Sequence, residues 1–222
     1  MLKASGVFSI CIAITYMIIA LIHLSLPDIQ KAGNSMSPEY LVSIAESPLL
    51  LVWQIRIFAV NAVLSIAVVF SLLQYIRSGQ NGLSVWASAL AVIGFAIIFY
   101  VSMLAQIEIP RIATSFVQSN ETIKLAIIAQ GLGFDDWMAF GLIGLWMIIV
   151  NYTGQKNRRL PLSLAIIGII SGFANFLIAF GTVARLVILI TIAAILGGVL
   201  LGPVWYFWTG IIFLKESRKS FP

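Results

Sequence analysis

Long apolar stretches alternate with short polar segments along the whole chain. Six of the stretches reach about 20 residues, the length at which an α-helix crosses the hydrocarbon core of a bilayer. They occupy residues 4–26, 48–75, 83–104, 134–152, 160–183 and 186–214. The pattern therefore predicts an all-α fold, a polytopic membrane helix bundle with six transmembrane helices. We expect residues 1–222 to form a single transmembrane domain.

Composition strengthens this prediction. Hydrophobic residues make up 61% of the 222 residues, and charged residues only 9%. Soluble domains carry about a quarter charged residues, so lipid must cover much of this surface. The first stretch follows Lys3 and is too long for a signal peptide, which favours a retained span. The single cysteine, Cys11, excludes an internal disulfide.

Basic residues fall unevenly on alternate sides of the predicted spans. Eight lie on the side that holds both termini, namely Lys3, Arg77, Lys156, Arg158, Arg159, Lys215, Arg218 and Lys219. Four lie on the other side, namely Lys31, Arg111, Lys124 and Arg185. Basic loops stay in the cytoplasm, so both termini are predicted to be cytoplasmic. Seven of the eight acidic residues fall outside or at the outer ends of spans, and only Glu216 lies inside.

The two long connections lie on the predicted outer side. Residues 27–47 contain Ser37 as a helix N-cap, Pro38 at the first position and Glu39 in the first turn. Residues 106–133 contain a second helical pattern at 123–128. We therefore expect short interfacial helices on the outer side and short basic turns on the inner side.

An ionisable group at bilayer depth costs several kcal/mol unless it has a partner or a function. Arg56 lies about two turns into the second span, and Asp135 and Asp136 lie in the first turn of the fourth, at matching depth. This spacing favours an intramembrane ion pair. Four further side chains could complete its hydrogen bonds, namely Gln54, Asn61, Gln106 and His23.

Three interpretations of this outer polar cluster stay open. The cluster could only hold helices together, or Asp135 and Asp136 could cap the fourth helix in the headgroup region. Alternatively it lines a cavity that binds a small polar or amphipathic ligand. The candidate ligand-binding or ion-pair residues are Arg56, Asp135, Asp136, Glu108, His23, Gln54 and Gln106.

The sixth span contains Gly197-Gly198 and Gly202-Pro203, followed by Trp205, Phe207 and Trp208. The glycines and the proline predict a closely packed, kinked helix, and the aromatic residues predict a belt at the inner interface. A cofactor pocket built from stacked rings is the alternative. The cofactor, if any, stays unknown.

Catalytic chemistry has little support in the sequence. One histidine excludes a bis-histidine haem within the chain and most metal sites, so no metal site is predicted. No lysine lies at mid-span, and no nucleophile elbow, phosphate-binding glycine loop or zinc-protease helix occurs. Because Asp135 and Asp136 are adjacent on one helix, they point to different sides and cannot by themselves form a protease dyad.

Beyond the six-span layout, two segments resemble a known family. They are Leu160-Pro161-Leu162 with the Ile167-Gly168 to Gly172 stretch, and Trp205-Tyr206-Phe207-Trp208-Thr209-Gly210. Both are similar to a family of small bacterial integral membrane proteins known only as a domain of unknown function. The resemblance implies six helices in a bacterial cytoplasmic membrane. It transfers no functional residue.

The sequence favours a non-enzymatic integral membrane protein over an enzyme. Its expected partners are membrane lipids, together with a small amphipathic ligand or other membrane proteins of a complex, and no nucleic acid. One alternative is a membrane enzyme for a lipid or isoprenoid, using Asp135, Asp136, Glu108 or His23 as acid or base. A small-solute transporter is the second, with the sixth span as its broken helix.

Overall fold

The computed structural model describes residues 1–31, 37–76, 82–130 and 137–219, and every regular element within these ranges is helical. The elements are α1 (Leu2–Ser25), α2 (Asp28–Lys31), α3 (Pro38–Glu46), α4 (Leu49–Tyr75), α5 (Gly82–Gln118), α6 (Glu121–Gln130), α7 (Trp137–Lys156), α8 (Leu162–Val183), α9 (Val187–Ala194), a π-helical segment (Ile195–Leu201) and α10 (Gly202–Lys219). Six helices in these ranges are long and apolar enough to cross a membrane, with α9 to α10 forming the sixth. The predicted six-helix bundle is confirmed.

The six long helices form a closed ring. Following the contacts, α1 packs on α4, α4 on α5, α5 on α7, α7 on α8, α8 on the α9–π segment, and α10 back on α1. Each helix is apolar around most of its circumference, as expected where lipid covers one side and neighbouring helices the other. Ring closure therefore brings the first and last spans together, a pairing that helix lengths alone do not predict.

The third span extends well beyond its predicted end. We expected residues 83–104, whereas α5 continues through Pro110 to Gln118 and has 37 residues. At 1.5 Å per residue it is about 55 Å long, which exceeds a hydrocarbon core of about 30 Å. Packing explains the continuation, because Ile109, Ala113 and Phe116 are buried against α3. That contact stabilises the helix on both sides of the proline.

The short helix predicted after Ser37 is present as α3. The Ser37 hydroxyl accepts a hydrogen bond from the backbone N–H of Tyr40 at 3.2 Å and caps the helix. Tyr40, Leu41 and Ile44 then face the extension of α5. This second, smaller apolar cluster gives the bundle a folded cap at one end.

The kink predicted in the last span stays a prediction, and a widened, π-helical segment precedes Gly202-Pro203. Between α9 and α10 the backbone N–H of Gly202 bonds to the carbonyl of Gly197, five residues earlier. Pro203 lacks an N–H and cannot continue a regular α-helical ladder, and π segments absorb such interruptions. The sixth span is therefore continuous in hydrogen bonding rather than broken.

The predicted aromatic belt is wrong for Trp205. This side chain is completely buried, and its ring lies edge-on to Trp146 at 6.0 Å and to Tyr206 at 5.1 Å between centroids. Phe207, in contrast, is exposed. Since α10 is apolar on all sides, its sequence did not reveal which face points inward.

Candidate functional site

The two ends of the bundle differ in charge, one being basic and the other acidic. The Tyr75 hydroxyl donates to the carbonyl of Arg159 at 3.1 Å, and the Asn157 amide donates to the carbonyl of Ile76 at 3.1 Å. These bonds join the end of α4 to the α7–α8 turn. We call this the basic end, defined by Lys3, Lys156, Arg158, Arg159, Lys215, Arg218 and Lys219. The acidic end is the opposite one, defined by Asp28, Glu39, Glu46, Glu108 and Glu121.

Arg56 lies near the acidic end and is exposed on the surface of α4. Its Nε donates to Oε1 of Gln106 on α5 at 2.9 Å. The guanidinium carbon stands 5.4 Å from the ring centroid of Trp53, a cation–π distance. Gln106 in turn donates through Nε2 to Sδ of Met103 at 3.0 Å. We define Trp53, Arg56, Met103 and Gln106 as the Arg56 site.

Helix geometry explains how these four side chains meet. Trp53 and Arg56 are three residues apart on α4, and Met103 and Gln106 are three apart on α5, so each pair shares a face. The antiparallel packing of α4 and α5 then sets the two faces side by side. Arg56 and Gln106 are predicted from the sequence, whereas Trp53 and Met103 are not. The i,i+3 spacing of Trp53 and Arg56 was the signal available for Trp53.

The remaining acidic candidates are not joined to Arg56 in the described part of the chain. Glu108 forms an ion pair with Arg111 one turn further along α5. Asp135 and Asp136 lie outside the described residues, so the predicted ion pair with Arg56 stays a prediction.

His23 lies at the same depth as the Arg56 site. It is exposed in the last turn of α1. Hydrogen bonds between Ser5 and Ser71 and between Thr15 and Asn61 fix the antiparallel register of α1 and α4. That register places His23 level with Trp53. Shared depth, however, is all that links them.

Two of the side chains expected to complete the hydrogen bonds of Arg56 form no hydrogen bond to it. Asn61 accepts a hydrogen bond from the Thr15 hydroxyl at 2.6 Å and is buried between α4 and α1. Gln54 lies two turns before it on the same face of α4, and its buried Oε1 has no partner among the described residues. Of the four expected helpers, only Gln106 contacts Arg56.

Inside the bundle, a polar pair lies among the aromatic rings. Oδ1 of Asn151 accepts from the indole N–H of Trp205 at 2.9 Å, and its Nδ2 donates to the carbonyl of Met147 at 2.7 Å. The facing position on α8 is Gly168, where an added Cβ would lie 2.3 Å from the Asn151 amide. Only glycine leaves room for this asparagine.

A second interior contact joins α4 to α10. The hydroxyls of Ser65 and Tyr206 lie 3.1 Å apart, and the Tyr206 ring stacks on Tyr16 with centroids 6.0 Å apart. Buried hydroxyls at Ser9 and Thr209 have no partner within the described chain. In lipid, such groups need internal partners or ordered water. The interior is therefore partly polar, yet it holds no ionisable carboxylate or imidazole among the described residues.

Titratable groups of the acidic end respond to their local contacts. The Lys31 ammonium donates to Asp28 at 2.8 Å and lowers the pKa of that carboxyl. Burial of Tyr40 against α5 raises the pKa of its phenol. Neither group adjoins Arg56, so both belong to the packing of the cap.

The closed ring of six apolar helices gives the chain the architecture of a polytopic membrane protein. It belongs to the family described as Domain of unknown function (DUF4386), whose model matches residues 4–211. This match confirms the expected resemblance to a family of unknown function. No curated protein and no solved structure matches the chain. The family description assigns no activity, so function must be argued from this chain's own residues.

Proposed function

We propose that this protein binds an anionic, amphipathic membrane ligand at the Arg56 site. The observation that carries the proposal is the state of the guanidinium. Only its Nε is bonded among the described residues, and no carboxylate among them pairs with it. An arginine placed within a span normally has a counter-ion. The terminal nitrogens of Arg56 therefore offer a site for one.

Charge and shape both favour a headgroup with an attached chain. A guanidinium binds phosphate or carboxylate oxygens through two parallel hydrogen bonds. Trp53 is 48% exposed beside it, and aromatic rings at this depth favour the boundary between headgroups and acyl chains. Arg56 lies about 10 Å from the start of α4. An acyl chain of the bound ligand would continue from there along the apolar surface towards the basic end.

Orientation and location form part of the same proposal. The basic end would face the cytoplasm, as the distribution of lysine and arginine supports. The Arg56 site would then face the outer leaflet of a bacterial cytoplasmic membrane. Residues 1–222 would act as one transmembrane unit, with no requirement for nucleic acid or metal.

The two alternatives have weaker support. A lipid-processing enzyme needs a carboxylate or imidazole beside the bound ligand. Among the described residues Glu108 pairs with Arg111 and His23 shares only its depth with Arg56, and Asp135 and Asp136 lie outside them. A transporter needs a discontinuous helix near the midplane, whereas the Gly197–Gly202 hydrogen bond keeps the sixth span continuous. Ligand binding is the function that the described geometry supports best.

Native mass spectrometry with added phosphatidylglycerol, and with phosphatidylcholine for comparison, tests the proposal. Arg56→Gln should reduce the number of phosphatidylglycerol molecules retained per protein by about one. Trp53→Leu keeps an apolar side chain but removes the cation–π contact, and should reduce retention less. Arg111→Gln is the matched control, because it removes an exposed arginine of the same end. Melting temperatures of all variants report whether the fold is retained.

Two results would overturn the proposal. One is unchanged phosphatidylglycerol retention in folded Arg56→Gln. The other is an equal loss in Arg56→Gln and Arg111→Gln, which would indicate a general charge effect. If Arg56→Gln does not fold, retention by Trp53→Leu decides, since an exposed tryptophan is not needed for packing. Unchanged retention in that variant then rejects the site.

A further inference from the structure

A cleft opens at the basic end, between the beginning of α1 and the end of α10. Its lining residues are Lys3, Leu214, Ser217 and Arg218. It lies at the opposite end of the bundle from the Arg56 site and shares no residue with it. An inference about this cleft therefore stands independently of the proposed function.

Packing of α1 on α10 explains why the cleft forms there. The two helices are in close contact at Gly6 and Gly210, where an added Cβ on Gly210 would lie 2.8 Å from the Gly6 carbonyl oxygen. One turn further along α10, Leu214 packs over Gly6. The cleft lies between the start of α1 and the last turns of α10, which continues to Lys219. Lys3 lines it from α1 and Arg218 from α10.

The cations of the cleft lack acidic partners within the described chain. Glu216 is the only acidic residue in α1 or α10, and its Oε2 accepts from Lys219 at 3.1 Å. Neither Lys3 nor Arg218 takes part in an ion pair there. Two like charges facing one gap repel each other, so an anion between them would be stabilised.

Apolar atoms form most of the surface of the cleft. Leu214 contributes to that surface, and the Ser217 hydroxyl donates to the Leu214 carbonyl at 2.9 Å. Val7 lies one turn beyond Lys3 on the same face of α1, and Phe207 lies two turns before Leu214 on the same face of α10. Both are about half exposed. Exposed apolar side chains of α1 and α10 therefore lie between the two cations and the middle of the membrane, and we call these side chains the apolar track.

We propose that this cleft binds a phosphate group carried by an anionic membrane lipid. Lys3 and Arg218 contact the phosphate oxygens, and one acyl chain follows Val7 and Phe207. Basic pockets between transmembrane helices bind such headgroups by charge, and the apolar track adds the burial energy of the chain. The track distinguishes a lipid from free phosphate, which would gain nothing from it.

A comparison of paired variants tests this site by native mass spectrometry. The double variant Lys3→Gln/Arg218→Gln removes both cations of the cleft. The double variant Lys156→Gln/Lys215→Gln is the matched control, because it removes two cations of the same end that do not line the cleft. The added probes are phosphatidylglycerol, phosphatidylcholine and inorganic phosphate. All four substituted residues are exposed, and melting temperatures verify that both variants fold.

The cleft variant should retain about one phosphatidylglycerol molecule fewer per protein, whereas the control should retain the same number as the original protein. Millimolar inorganic phosphate should not displace the lipid. If inorganic phosphate displaces the lipid, and retention does not depend on the acyl chain, the site binds free phosphate and the proposal of a lipid is wrong. Equal losses in both double variants, or no loss in the cleft variant, would reject the site. Combining the cleft variant with Arg56→Gln should remove both lipids, so the loss at the cleft is separate from the loss at the Arg56 site.

Discussion

The indole N–H of Trp205 donates to Oδ1 of Asn151 at 2.9 Å, and both side chains are completely buried. This bond joins α7 to α10 across the inside of the ring. Neither residue has access to water, so each depends on the other to satisfy a polar group in a lipid-like environment.

Asn151→Leu should destabilise the bundle by about 1–3 kcal/mol, because it leaves the Trp205 N–H buried without an acceptor. Trp205→Phe in the same background should recover part of this loss. A double-mutant cycle measured by unfolding in mixed detergent micelles should give a coupling energy of about 1 kcal/mol. Strictly additive effects of the two substitutions would show that the hydrogen bond contributes nothing.

Gly144→Ala should weaken the packing of α7 on α8. An added Cβ would lie 2.6 Å from the carbonyl oxygen of Gly172, a backbone atom that cannot move independently. Gly141→Ala, one turn earlier, is the control, because its Cβ would meet Ala179 at 3.4 Å in ordinary contact. The melting temperature should fall for Gly144→Ala and change little for Gly141→Ala. Equal changes would contradict the close contact.

Gln30→Ala should release α2 from α3. The buried Nε2 of Gln30 donates to the carbonyl and the hydroxyl of Ser43, both at 3.0 Å. Loss of these bonds should increase amide hydrogen exchange in residues 28–31 by about tenfold. Lys31→Ala, the control, removes only an ion pair with the exposed Asp28. Similar exchange in both variants would mean that Gln30 does not hold the two helices together.

Alkaline pH should loosen the α3 cap through Tyr40. Burial raises the pKa of its phenol above the ordinary value of about 10. The unfolded chain therefore loses this proton first, and stability falls as pH rises from about 10 towards the folded-state pKa. Melting temperatures between pH 9 and pH 11, a range set around that ordinary value, should fall less for Tyr40→Phe than for the original protein. If the melting temperatures of both proteins fall equally with pH, Tyr40 is not the cause of the loss of stability.

Cysteine labelling should place Glu46 and Lys156 on opposite sides of the membrane. In a Cys11→Ala background, Glu46→Cys should react with an impermeant maleimide added to intact cells, and Lys156→Cys should react only after permeabilisation. The predicted inward position of the basic end is the reason. Labelling of both positions in intact cells would contradict the six-span topology, whereas exchanged accessibility would reverse the orientation.

Sequence pattern predicted the large-scale architecture because span length and hydropathy depend on the bilayer rather than on neighbouring helices. Six spans and the Ser37-capped helix follow from local residues. The end of α5 could not be predicted from local residues, because Pro110 suggests an interruption. Only the contact with α3 shows why the helix continues. Local patterns also did not predict the π segment before Gly202.

The candidate site was predictable in part, for a related reason. A charged residue in an apolar stretch is conspicuous, so Arg56 could be proposed from sequence alone. Its contacts with Gln106 and Trp53 depend on how α4 lies against α5.

The sequence by itself determined that this is a six-span helical protein with most of its basic residues on one side of the predicted spans. Only the tertiary structure decided that α10 closes the ring on α1, that Trp205 points inward, and that Lys3 and Arg218 share a cleft. The physical reason is that membrane helices are apolar on every side. Their packing faces are therefore selected by shape and by a few polar contacts, which become visible only when the helices are assembled.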